Sequence, residues 1–227
     1  MMILVGGEKG GTGKTTIATN LTYKFNDDLL VVDTDMQGSF GFWSKLRKST
    51  IFEEKKINGI NYKEVLCVTK LGSSIHPELA NLKNKYKNVI VDAGGKDSPE
   101  LRSSMLVADI FICPLQPSQF DIWTISNMDK LVGEAKIMNP KLQGFLLLNR
   151  ASTNVKVMEI EEAKELAGDL DNLKLLKAII KERMAFKRCT KFGLTVFETD
   201  DKNSDKAKDE MEALVSELLS ELVCAEE

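Results

Sequence analysis

The chain has 227 residues, of which 43% are apolar and 29% charged. At that length about 70% of the unfolded surface can be buried in one core, so no disulfide staple is needed. Lys and Arg number 31 against 34 Asp and Glu, a formal net charge of −3 that leaves contact with a polyanion to local clusters rather than to overall charge. The cysteines Cys67, Cys113, Cys189 and Cys224 are scattered with no C-x-x-C pair and read as structural thiols of a reducing compartment. The single histidine, His76, excludes a multi-histidine metal site, and its neighbour Pro77 marks a helix start where His76 would act as a surface cap. No apolar run approaches the roughly 20 residues of a membrane span, and the N-terminus reads as a strand, not a signal peptide. These features predict one cytoplasmic α/β domain over residues 1–227.

In chain order, the apolar run Ile3 to Val5 feeds Glu8-Lys9-Gly10-Gly11-Thr12-Gly13-Lys14-Thr15-Thr16. A glycine-rich loop between a strand and a helix can turn consecutive backbone N–H groups toward phosphate oxygens. Lys14 can then reach the β and γ phosphates, Thr15 can ligate Mg²⁺, and the dipole of the helix carrying Ile17, Leu21 and Phe25 adds to the attraction. A second strand, Leu29 to Val32, ends in Asp33-Thr34-Asp35-Met36-Gln37, whose two carboxylates point to the same side of an extended chain. Trp43 reads as core. After a weaker strand at Val65 to Val68, the run Val89 to Val91 ends in Asp92-Ala93-Gly94-Gly95. Ser98-Pro99 caps a helix through Val107, and Ile110 to Cys113 forms the next strand. Asp121-Ile122-Trp123 begins a further helix in which Trp123 is a packing residue.

Phe145 to Leu148 is followed by Asn149-Arg150, then by a helical pattern of Val157, Ile160, Ala163 and Leu166 and a weaker strand at Ala178 to Ile180. Strands of continuous apolar character alternating with helices predict a doubly wound, mostly parallel sheet with helices on both faces. Between Lys174 and Lys191 the cations Lys174, Lys177, Lys181, Arg183, Lys187, Arg188 and Lys191 face a single acid, Glu182. That is a candidate surface for the phosphates of a nucleic acid, with a solvated basic face as the alternative. Thr199 to Lys208 reads as a loop before a last helix, Ala207 to Val223, with Met211, Leu214, Val215, Leu218, Leu219 and Leu222 on one stripe. Its polar face carries Glu210, Glu212, Glu217 and Glu221, which anionic lipid would repel, so docking onto the sheet is expected.

The arrangement x-K-G-G-x-G-K-[ST] has glutamate where the ordinary phosphate loop has glycine, and it resembles the deviant Walker A loop of the ParA/MinD family. Along nearly its whole length the chain is most similar to the small plasmid-type ParA partition ATPases, which also begin at the phosphate loop. The resemblance implies a P-loop ATPase that binds ATP and Mg²⁺ through Lys9, Gly10, Gly11, Thr12, Gly13, Lys14, Thr15 and Thr16. Lys9 is implied to reach a phosphate across an ATP-sandwich homodimer. Asp33, in a D-x-D-P-Q pattern whose proline is here Met36, falls to the Mg²⁺ shell and Asp35 to the attacking water. Asp92 resembles the Walker B aspartate that holds Mg²⁺ through a water. Asn149 resembles the asparagine that recognises adenine, and Pro114-Leu115-Gln116-Pro117 resembles the segment in which Pro117 would lie beside the base and the dimer interface. Lys181, Arg183, Lys187, Arg188 and Lys191 fall where ParA proteins carry sequence-independent DNA contacts. The implied partners are non-specific DNA, with nucleoid association in the ATP state, and a centromere-binding or cargo-adaptor protein that stimulates hydrolysis. A MinD-like membrane-associated regulator and a phosphotransferase of the dethiobiotin synthetase type are the other classes sharing such a loop.

Overall fold

The computed structural model describes residues 1–58, 62–72, 75–117, 122–153, 157–199 and 204–224, with the backbone alone at 54–58, 122–123, 157–159 and 224. The roles read for Asp121, Trp123 and Cys224 lie outside the described side chains. Seven parallel strands run in the order β3-β2-β4-β1-β5-β6-β7. They are β1 (Met2–Val5), β2 (Leu29–Asp33), β3 (Leu66–Thr69), β4 (Asn88–Asp92), β5 (Ile110–Leu115), β6 (Gln143–Ala151) and β7 (Leu173–Lys181). The helices are α1 (Lys14–Lys24), α2 (Ser39–Asn58), α3 (His76–Lys85), α4 (Pro99–Met105), α5 (Ile122–Met138), α6 (Val157–Ala167), α7 (Met184–Thr190) and α8 (Asp205–Cys224).

The central strands are apolar throughout because both of their faces are covered. Alternate side chains divide between two cores. Ile3, Val5, Val31, Ile90 and Phe145 meet Ile17 and Leu21 of α1, Trp43 of α2 and Met211, Leu214 and Leu218 of α8 on one face. On the other, Leu4, Val32, Val91, Phe111 and Leu146 meet Leu79 of α3, Leu101 of α4 and Met128 and Val132 of α5. The acid-faced last helix thus docks on the sheet through Met211, Leu214, Val215 and Leu218, while Leu219, read into the same stripe, is 44% exposed because it faces away from the sheet. Among the described residues no helix is long and apolar enough to cross a membrane.

Local expectations fare unevenly. Ser98 caps α4 by accepting the Leu101 amide at 3.1 Å. His76 is exposed at the start of α3, but the cap position belongs to Ile75 and carries no side-chain hydrogen bond, so His76 is not a cap. Strand β7 is longer than the Ala178 to Ile180 segment, and α2 is a 20-residue helix that the apolar periodicity did not reveal.

Candidate nucleotide site

The carboxyl ends of β1, β2, β4, β5 and β6 converge on the loop that leaves β1. This is where a doubly wound sheet assembles its ligand sites. Gly11 and Gly13 adopt φ of +76° and +89°, a left-handed conformation in which a side chain is costly. Gly13 is constrained twice: a Cβ there would stand 2.4 Å from Asn149 Nδ2. Behind the loop, α1 carries polar residues into the core, each bonded to backbone. Asn20 shows how: its Nδ2 donates to Thr16 O at 2.8 Å and its Oδ1 accepts the Val196 amide at 2.9 Å.

Lys14 folds back over the loop, its Nζ donating to Lys9 O at 2.7 Å. Burial lowers its pKa, against the pull of the nearby Asp92 and Asp35 carboxylates. Thr15 Oγ1 donates to Asp92 Oδ2 at 2.7 Å. Desolvation pushes the Asp92 carboxyl up to about 8, with the neighbouring Asp33 adding to the rise. Asp33 is fully buried, and both its oxygens accept backbone amides, Asp35 N at 3.0 Å and Gly41 N at 2.9 Å. Burial raises its pKa also. Asp35 accepts the Gln37 amide at 2.9 Å and lies against Gly94, where a Cβ would come within 3.3 Å of its Cγ. A Cβ on Gly95 would sit 2.9 Å from Gly10 Cα and 3.1 Å from Lys14 Nζ, so glycine at the end of β4 lets that segment close over the loop.

Two buried polar atoms at this spot, Thr12 Oγ1 and Asp92 Oδ1, have no hydrogen-bond partner among the described residues. Buried polar atoms are ordinarily paired, so an orphaned carboxylate oxygen beside a hydroxyl marks a place for a ligand. Hydroxyl and carboxylate oxygens are the donors a hard cation such as Mg²⁺ takes, and a lysine over turned-in amides suits phosphate. The residues therefore fit a magnesium nucleotide, with Thr15 and Asp92 to hold the metal and Lys14 to meet the phosphates.

Asn149 is 2% exposed and its Nδ2 donates to Thr12 O at 2.6 Å, a strut beneath the loop. Beside it opens a cavity of about 350 Å³ lined by Gly13, Thr16, Asn149, Arg150, Lys181, Glu182, Arg183, Phe186, Lys187 and Thr190. Pro117 is buried just beyond β5, and the preceding Gln116 donates to Gly11 O at 3.2 Å. A larger opening of about 600 Å³ at the amino ends of β6 and β7 shares no residue with the loop.

The basic cluster is divided. Lys181, Arg183 and Lys187 line the 350 Å³ cavity, while Arg188 and Lys191 are exposed on and after α7. Arg183 is clamped by Glu210 of α8 through contacts of 2.5 to 3.1 Å. Lys187 Nζ reaches Glu182 at 2.8 Å, and Lys174 reaches Glu221 of α8 at 2.6 Å. The count of one acid, taken along the sequence, therefore misses two carboxylates that the fold brings in. Sequence reasoning also missed Arg150 as a loop contact: it follows Asn149 directly and donates to Gly11 O at 2.6 Å. Its place at a strand end was the available signal.

Comparison with known proteins agrees with this geometry. Residues 3–196 match the family described as the CobQ/CobB/MinD/ParA nucleotide binding domain. The chain is 24% identical to maintenance of carboxysome distribution protein A of Halothiobacillus neapolitanus, over 93% of each chain. An ATP complex of a Cyanothece McdA variant superposes with a TM-score of 0.68 at 15% identity, over 94% of this chain and 95% of that one. The septum site-determining protein MinD of Pyrococcus horikoshii, complexed with Mg-ADP, gives 0.67 at 21% identity over 96% of each. With the match spanning residues 3–196 and the loop, Lys14, Thr15 and the strand-end carboxylates assembled at one point, the chain belongs to the CobQ/CobB/MinD/ParA nucleotide-binding family.

Proposed function

We propose that the protein is an ATP-dependent positioning ATPase that closes as an ATP-sandwich homodimer, binds DNA without sequence preference, and is released when an adaptor on its cargo stimulates hydrolysis. The observation that carries this reading is the gathering of Lys9, Lys14, Thr15, Asp33, Asp35 and Asp92 around one glycine loop. The relatives named for carboxysome distribution and septum-site determination suggest a spatial cargo.

Phosphoryl transfer to water asks a protein mainly for positioning and charge stabilisation. Mg²⁺, when bound, supplies neutralisation of the β and γ phosphate charge. Lys14 turns its ammonium from the Lys9 carbonyl to the phosphates, and Thr15 and Asp92 hold the metal. Asp33, locked by two amides, keeps the end of β2 in register and would belong to the Mg²⁺ shell. Asp35, on the surface of the same turn, orients the attacking water. Lys9 completes the site of the second copy. Met211, Leu214, Val215 and Leu218 of α8 are buried against the sheet and its polar face is acidic, which favours DNA over an anionic lipid surface as the anchoring polymer.

Light scattering with ATP and Mg²⁺ tests the dimer. Lys14→Ala should lose ATP binding by calorimetry, whereas Lys9→Ala should bind ATP yet stay monomeric. Asp35→Ala should bind ATP and persist as a dimer without turnover. Equal loss of affinity in the Lys9 and Lys14 variants, or wild-type turnover by Asp35→Ala, would overturn these assignments.

A further inference from the structure

Only two non-glycine residues among those described have positive φ, and one of them, Arg150 at +53°, stands inside β6 directly after Asn149. In an extended strand, consecutive side chains point to opposite faces of the sheet. Here both reach the same loop, because the left-handed turn at Arg150 swings its side chain round to join that of Asn149. Non-glycine residues held in this region are strained and persist where the surroundings require them, a condition that clusters at functional sites. The pairing of β6 with β7 is irregular at this point, with a register shift between Leu148 and Ala151.

The contacts made from this position are specific. Arg150 Nη1 donates to Gly11 O at 2.6 Å, and Asn149 Nδ2 donates to Thr12 O at 2.6 Å. Two successive peptide carbonyls of the loop are thus drawn to the β6 side by two successive residues. In a trans peptide the N–H lies opposite its C=O. Drawing the Gly11 and Thr12 carbonyls outward therefore aims the Thr12 and Gly13 amides the other way. Were the Gly11–Thr12 peptide to flip, a carbonyl dipole would replace an amide in the anion cradle. Glycine at position 11 has no side chain to resist that flip. Gln116 Nε2, at 3.2 Å, is a second and longer contact to the same oxygen. The far side of the guanidinium is anchored: Arg150 Nη2 donates to Glu182 Oε1 at 3.0 Å, and Lys187 holds the same carboxylate oxygen at 2.8 Å.

We propose that Arg150 is a positioning residue for nucleotide phosphate: it pins the Gly11 carbonyl outward, so that the loop presents its amides to the anion before the ligand arrives. The proposal rests on the nucleotide reading above and adds to it a residue that acts through the loop backbone.

The test uses three variants of the full chain and two measurements, ADP affinity by calorimetry and the melting temperature of the nucleotide-free protein. Arg150→Gly removes the guanidinium while suiting the left-handed backbone. It should melt at or above the wild-type temperature yet bind ADP about tenfold more weakly, the scale of one charge-assisted hydrogen bond. Arg150→Ala should lose at least as much affinity. Arg150→Lys restores one charged donor and should recover affinity to within about threefold of wild type. A glycine variant that binds ADP as wild type does overturns the proposal. So does one whose lost affinity comes with a lowered melting temperature, since that is the mark of a merely structural residue. Wild-type protein that fails to bind ADP would instead overturn the nucleotide reading itself.

Discussion

Asp92 carries the largest electrostatic tension in the site, and the sign of its effect on stability follows from its surroundings. Burial pushes its carboxyl from the ordinary 3.8 to about 8, so the folded chain holds a proton there that the unfolded chain has released. Between those two values the native state binds more protons, and stability falls as pH rises; above about 8 the dependence flattens. Asp33, raised by burial as well, adds a slope of the same sign. Thermal melts of the nucleotide-free protein in chelator should therefore show a midpoint that declines from pH 5.5 toward pH 8. Asp92→Asn, which keeps the shape and removes the titration, should flatten that decline. Parallel pH curves for wild type and variant would rule Asp92 out as the source. The carboxylate a metal would use is, in the ligand-free chain, a group the fold would rather keep neutral.

At the scale of elements, the four glutamates of the α8 polar face tie that helix to β7, to the turn after it and to α1. Glu210 takes Arg183, Glu212 takes Lys24 of α1, and Glu221 takes Lys174. Glu217 pairs with no cation among the described residues. Its carboxylate accepts the Lys177 and Ala178 amides of β7, the edge strand, at 2.8 and 2.9 Å, where the β6–β7 register shifts. Amides taken out of the ladder by such an irregularity need another acceptor. Glu217→Ala should cost about 1–3 kcal/mol, the range for losing a charge-assisted bond, and hydrogen exchange should quicken at Lys177 and Ala178. Unchanged protection at those two amides would sink the idea. This edge also explains what the sequence concealed. Strands β1, β2, β4 and β5 are covered on both sides and read as unbroken apolar runs, whereas β7 interleaves Lys174 and Lys177 with Leu173, Leu176 and Ala178, so only its last stretch looks like a strand. Helix α2 buries Phe40, Trp43 and Arg47 along one side, and an arginine in that stripe breaks the apolar period. Arg47 belongs there because Glu198, 151 residues later, pairs with it through two bonds of 2.9 and 2.5 Å. The phosphate loop and the strand-end aspartates were legible because each is a local spacing. The acids that neutralise Arg183 and Lys174 were not, because they arrive from a helix 27 and 47 positions downstream.

For the whole molecule, the distribution of charge decides which cations are placed for the proposed contact with DNA. Arg183 is largely enclosed with Glu210, and reversing its charge would set two carboxylates together in a partly buried site. Arg188 and Lys191 are exposed on and after α7, whereas Lys187 holds the Glu182 carboxylate that also anchors Arg150. Arg188→Glu with Lys191→Glu should therefore abolish ATP-dependent retention on unrelated DNA fragments while ATP-driven dimerisation survives. Wild-type affinity should fall with salt at a log–log slope of about −0.9 per phosphate contact. Undiminished gel shifts by the double variant would move the DNA surface elsewhere. The seat of α8 also sets an order of events during synthesis. Met211, Leu214 and Leu218 close the core over Ile17 and Leu21 of α1, the helix into which the phosphate loop runs. While the chain is still on the ribosome, that face of α1 stays uncovered until residue 218 has emerged from the exit tunnel. In a nascent chain the phosphate loop thus runs into a helix whose core is completed only by the last helix to be made.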